Sequence, residues 1–126
     1  MKKKEDKRKR HYFFPELAKL YGVDEAIMLN HFIYWISNNS MNGNNYQKGR
    51  FWTFNPVKKF TEYFPYWSES QIARIIKSLI KQGVLIDGNY NRHLYDRTKW
   101  YALNDQDHFL TRYNPFDEFE ECKKLY

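Results

Sequence analysis

The spacing of apolar positions changes several times along the chain, and each change marks a predicted element. In the stretch YWSESQIARIIKSLIKQGVLI, residues 66–86, a turn of about 100° per residue puts Ile72, Ile75, Ile76 and Leu79 on one side of a helix. Ser70, Arg74, Lys77 and Lys81 fall on the opposite side, with Gln71 and Ser78 at its edge. The Ser68 hydroxyl is suited to cap the start of this helix and Gly83 to end it, so a helix is predicted from Ser68 to Gln82. Upstream, Pro15 and Gly22 bracket a short helix with Leu17, Ala18 and Leu20 available for burial. A long helix over 23–39 follows, with Asp24 as its expected N-cap. Met28, Leu29, Phe32, Ile33, Trp35 and Ile36 form its broad apolar face, and Asn30, Tyr34 and Asn38 lie opposite. Residues 40–50 read as a polar loop and FWTF, 51–54, as a short strand. Asn55 as N-cap and Pro56 in the first turn open a further helix that ends near Pro65. After Gly83, VLIDGNY and TKWYAL flank a polar stretch and are predicted to form a hairpin with a long basic tip.

Composition narrows what such a chain can be. Its 126 residues suit a single domain, and aromatics at 20% with few Gly and Pro indicate a folded chain. The longest apolar stretch, AIMLNHFIYWI, is interrupted by Asn30 and His31 and is too short to span a bilayer. The basic start MKKKEDKRKR leads into no signal-peptide apolar region, so a cytoplasmic location is expected. Cys122 is the single cysteine, which excludes an internal disulfide and a Cys-based zinc site. His31 has no second His or carboxylate at metal-ligand spacing on its face and is read as a structural or surface histidine. There is no Gly-rich phosphate loop, no HExxH and no Cys–His pairing, and the paired Glu120 and Glu121 sit in a charged tail. Neither an enzyme nor a cofactor is expected.

The net charge of +6 is unevenly spread. Residues 2–10 hold seven bases against two acids, 11–103 hold eleven against seven, and 104–126 hold three against six. The chain therefore divides into a basic arm (1–11), a mildly basic body (12–104) and an acidic aromatic segment (105–126) that is expected to be partly helical. The order helix, long helix, short strand, helix, tight link, amphipathic helix, hairpin gives a fold class of mainly α with a small β-sheet (α+β). It is the order of a winged helix-turn-helix with a β-hairpin wing. In that layout the helix from Ser68 to Gln82 enters the major groove of double-stranded DNA through Ser68, Ser70, Gln71, Arg74, Lys77, Ser78 and Lys81. The wing brings Asn89, Tyr90, Asn91, Arg92, His93, Tyr95, Arg97 and Lys99, and the arm adds Lys7, Arg8, Lys9 and Arg10. Tyr90 and Tyr95 are the aromatics expected to touch nucleic acid. Other readings stand beside this one: a solvated helix face, a tail that serves solubility, and RNA binding through stacked aromatics. A winged-helix interaction module without DNA binding, or a transcriptional regulator, would have the same element order.

The same residues carry a family resemblance. YWSESQIARIIKSLIKQGVLI followed by GNYNRHLYDRTKWYAL resembles the N-terminal winged-helix domain of replication proteins, of the replisome-organiser or initiator type, in phages and mobile elements of low-GC Gram-positive bacteria. VDEAIMLNHFIYWI and GRFWTFNPVKKFTEYFPYWS extend the similarity upstream, so that it covers roughly residues 14–104. The resemblance implies a DNA-binding module in phage or plasmid replication without catalysis of its own. Such proteins commonly continue into a larger domain that recruits the helicase loader. Here Asn114 and Pro115 open a predicted helix in which Phe116, Phe119, Cys122 and Leu125 form an apolar stripe between acids. A short helix of this kind must bury its stripe, and docking on its own domain or homodimerisation is favoured over a replication protein as partner.

Overall fold

A computed structural model describes residues 10–116. The described part is an α+β fold of five helices with two small antiparallel sheets. The expectations for Lys7, Arg8 and Lys9, and for Phe119, Cys122 and Leu125, lie outside the described residues.

Helix α1 (Pro15–Tyr21) starts on its proline, where the missing N–H costs no hydrogen bond, and buries Leu17. Leu20, expected to be available for burial, is instead exposed to solvent. Gly22 ends α1 and also caps α2 (Val23–Asn42), with φ at +114°, so the chain passes between two helices through a single residue. That shared cap leaves no place for a separate one, and Asp24 lies within the first turn instead, where its charge suits the helix dipole. Along α2, Ala26, Met28, Leu29, Phe32, Ile33 and Ile36 are buried, whereas Trp35 is only half-buried.

Part of the segment expected to be a loop is ordered. Helix α2 continues through Asn42 to a left-handed Gly43, and Tyr46–Gln47 (β1) then pairs with Arg50–Phe51 (β2). The turn between them puts both Lys48 (φ 53°) and Gly49 (φ 79°) in the left-handed region, the conformation that matches the twist of a two-residue hairpin. The expected strand 51–54 is accordingly split. Phe51 belongs to this hairpin, and Thr53–Phe54 (β3) joins a second sheet.

Helix α3 (Val57–Tyr63) has Pro56 rather than Asn55 at its N-cap, with Pro56 in the extended conformation and no side-chain cap. A link from Phe64 to Ser68 leads to α4 (Glu69–Lys81). Leu85–Gly88 (β4) and Trp100–Leu103 (β5) form the expected antiparallel hairpin, with Leu85 opposite Leu103 and Gly88 opposite Trp100. Strand β3 pairs with the other edge of β5, so the sheet order is β3–β5–β4. The chain then forms α5 (Gln106–Arg112), where the Asp105 carboxylate accepts the His108 N–H. Arg112 and the Tyr113 hydroxyl both donate to Glu16, which ties α5 back to α1 and lowers the Glu16 pKa, chiefly through the tyrosine hydrogen bond.

One core joins Leu17, Phe32, Ile36, Phe60, Phe64, Ile72, Leu79, Leu103 and Phe109 from all five helices and the larger sheet. A second cluster, Trp52 with Trp100 and Ala102, sits under the hairpin, and Ile86 and Tyr90 pack against it. No helix among the described residues is long and apolar enough to cross a membrane.

Candidate nucleic-acid interface

Helix α4 is fixed in register by both its ends and its core face. Ile72, Ile75, Ile76 and Leu79 are buried as the periodicity predicts. Ser68 and Gln71 form a reciprocal capping box: the Gln71 N–H donates to Ser68 Oγ at 3.2 Å, and the Ser68 N–H donates to Gln71 Oε1 at 2.8 Å. Both were expected among the DNA contacts, but their acceptor oxygens hold the helix start. Ser70 is drawn into the same cap through a 3.2 Å hydroxyl contact with Ser68. At the other end Ser78 accepts a hydrogen bond from the Gln82 amide, which also donates to the Tyr21 carbonyl. Arg74, Lys77 and Lys81 are left. All three are exposed, and none takes part in an ion pair among the described residues, where three other cations do. They follow one another every three or four residues and so share a face of the helix.

The hairpin loop, residues 89–99, divides into a closed base and an open tip. Asn91 closes the base: its Nδ2 donates to the carbonyls of Asp96 (3.0 Å) and Thr98 (2.7 Å), and its Oδ1 accepts the Trp100 indole N–H (2.9 Å). The side-chain amide and carbonyl of Asn91, expected among the DNA contacts, are thereby engaged within the loop. Asn89 Oδ1 accepts the Asn91 N–H and the Asp96 carboxylate accepts the Thr98 N–H, which keeps the Asp96 pKa low. Tyr90, expected to touch nucleic acid, packs within the protein. Its ring lies edge-on to Trp52 and Trp100, with centroids 5.0 and 5.5 Å away, so it is a packing residue of the small cluster. Lys99 is exposed but paired with Asp87 at 3.4 Å. Arg92, His93, Tyr95 and Arg97 remain exposed at the tip.

One residue escaped the sequence reading altogether. Leu94 is 103% exposed, more than any other large apolar side chain described, and Tyr95 beside it is 81% exposed. The only sequence signal was an apolar pair inside a polar stretch, NRHLYDR.

Arg10, the expected arm contact that falls within the described part, is exposed. It lines a cavity of about 290 Å³ with His11 and Tyr12, against His31, Tyr34 and Trp35 of α2 and Tyr63 of α3. His11 Nδ1 and the Tyr66 hydroxyl share a 2.6 Å hydrogen bond. His31, read as structural or surface from sequence, is enclosed by the rings of Phe32, Phe60, Tyr63 and Phe64. Burial pushes its pKa down to about 4, with the nearby His11 charge adding to the effect. Phe116, the first residue of the expected apolar stripe, has its ring 5.5 Å from that of Tyr34 on α2, and its N–H is accepted by Asn114 Oδ1. No cluster of His, Cys, Asp or Glu among the described residues could hold a metal ion.

Compared with protein-family models, with curated proteins and with solved structures, the chain gives no match in any of the three.

Proposed function

We propose that this chain is a double-stranded DNA-binding module of the winged helix-turn-helix type, serving replication of a phage or mobile element in a bacterial cytoplasm. The observation that carries the reading is the free basic face of α4, where Arg74, Lys77 and Lys81 are exposed and unpaired among the described residues. A surface helix that only meets solvent commonly intersperses acids with its bases; the single acid of α4 is Glu69 in the first turn, where the dipole favours it.

The architecture supports the same reading. Helix α3, a five-residue link and α4 stand in helix-turn-helix order, and α4 leads directly into a hairpin whose tip carries Arg92 and Arg97. The third strand, β3, precedes α3 in the chain and closes the sheet on β5, so the hairpin is braced rather than free. In this arrangement α4 lies in the major groove, and the hairpin tip and Arg10 reach flanking phosphates. Arg74 is the candidate base reader, because a guanidinium presents a planar pair of donors to a guanine edge; Lys77 and Lys81 act as point charges on phosphate. The replication role rests on the sequence resemblance, and the element order is equally that of a regulator.

A titration of the full chain against duplex DNA, single-stranded DNA and RNA at several salt concentrations tests the proposal. Arg74→Ala is expected to weaken duplex binding by about 1–3 kcal/mol if the residue reads a base. If Arg74→Ala combined with Lys77→Ala binds duplex at low salt as well as the parent does, the reading is wrong.

A further inference from the structure

We infer that Leu94 and Tyr95 form an apolar wedge that enters a base step of duplex DNA and unstacks it, an inference that rests on the duplex-binding reading above. The Asp96 N–H donates to the His93 carbonyl at 3.1 Å, so Leu94 and Tyr95 occupy the two corner positions of a turn. Corners of this kind favour Gly, Pro, Asn, Asp and Ser, each for its backbone conformation or its hydrogen bonds. A leucine there gains nothing from the turn, and with 103% of its surface exposed it gains nothing from the core. Its neighbour Tyr95 stacks on the His93 ring, with centroids 5.4 Å apart and planes 17° apart, which holds a flat aromatic surface beside it.

The loop that carries the pair is closed at its base. The three hydrogen bonds of Asn91 and the Thr98–Asp96 contact close the loop behind it, and Trp100, which donates to Asn91, is buried in the small aromatic cluster. Charge selects the partner. Arg92 and Arg97 flank the tip, both exposed and without ion pairs among the described residues, against the single acid of the tip, Asp96, whose carboxylate accepts the Thr98 N–H. An apolar tip between two free cations fits a polyanion that also offers an apolar stack, and duplex DNA is such a surface: Leu and other apolar side chains inserted between base pairs unstack and kink it.

The test uses the full chain and duplexes carrying 2-aminopurine, whose fluorescence rises when its neighbours unstack, at successive positions. The parent is expected to raise the fluorescence at one position, and Leu94→Ser with Tyr95→Ser to lose that rise at saturating protein while keeping the salt dependence of binding. Both side chains are exposed, so the circular dichroism spectrum and melting temperature of the variant should match the parent. Arg74→Ala should do the opposite, lowering affinity but leaving the fluorescence of the saturated complex unchanged. Binding without any fluorescence rise, or an undiminished rise in the variant, overturns the wedge alone; failure of the parent to bind duplex overturns the duplex reading and the wedge together. Binding to anionic phosphatidylserine vesicles that depends on Leu94, without a 2-aminopurine response, assigns the tip to a membrane surface and also overturns the wedge.

Discussion

Acidification should destabilise this fold well before its carboxylates titrate, through His31. Its ring is packed against Phe60 and Tyr63, with centroids 5.3 and 4.9 Å away, and its Nε2 is buried with no hydrogen-bond partner among the described residues. A proton on Nε2 meets no acceptor there, and the pKa falls from 6.5 to about 4, first through burial and then through the His11 charge. The folded-state pKa lies below the unfolded one, so the unfolded chain takes up the proton first. Stability is therefore full above about pH 6.5 and is lost as the pH falls toward 4. The whole gap corresponds to about 3 kcal/mol, of which about 2 kcal/mol is lost between pH 7 and pH 5. That is a large share of the roughly 5–15 kcal/mol that holds a domain together. Urea unfolding at pH 7 and pH 5, for the parent and for His31→Leu, isolates the term, because the leucine carries no proton in either state. The parent should lose about 2 kcal/mol more than the variant over that interval. Equal losses, or a His31 resonance that titrates near 6.5 in the folded protein, would refute the argument.

Two further outcomes follow from the residues around the proposed interface. Ser68→Ala removes one half of the α4 capping box and should lower stability by about 1 kcal/mol, read as a fall in urea midpoint with an unchanged slope. Arg92→Ala and Arg97→Ala should weaken all duplexes alike and reduce the slope of log affinity against log salt by about 0.9 for each phosphate that is no longer neutralised; an unchanged slope in both variants would remove the hairpin tip from the electrostatic footprint.

Elements with a strong period and local punctuation were legible in the sequence; those decided by distant partners were not. Helix α4 is read correctly because its apolar face repeats at helical spacing and because Ser68 caps it locally. The β4–β5 hairpin is read from two apolar runs. The C-terminal turn of α2 is missed because Ser40, Met41 and Asn42 carry no apolar period. Asn39 holds that end in place through a hydrogen bond from its side chain to the Trp52 carbonyl, thirteen residues on. The caps at Asp24 and Asn55 fail for steric and topological reasons: Gly22 already serves two helices, and Pro56, fixed in φ, takes the capping position itself. Tyr90 and Asn91 look free in a basic loop, and only the positions of Trp52 and Trp100 show that the Tyr90 ring packs and that the Asn91 carbonyl accepts an indole N–H.

Those internal ties limit what the proposed interface can do. Of the seven α4 residues with suitable chemistry, Ser68, Ser70, Gln71 and Ser78 are engaged within the helix or its caps, which leaves two lysines and one arginine. Lysines on phosphate give affinity that every sequence shares, so base discrimination from this helix reduces to Arg74 and whatever donors the capping residues still present. A single bidentate contact contributes about 1–3 kcal/mol of discrimination, far below the roughly 4–10 kcal/mol that separates specific from non-specific sites. For the proposed complex to be sequence-specific the remainder must come from elsewhere, and the proposed wedge at the hairpin tip would read how readily a given sequence deforms. Flexible pyrimidine–purine steps should then be preferred at the wedge position, and selection of binding sites from a random duplex pool should enrich TA or CA there even though no side chain contacts those base edges. Uniform base usage at that step, alongside a well-defined motif under α4, would mean that α4 reads more than its free side chains allow.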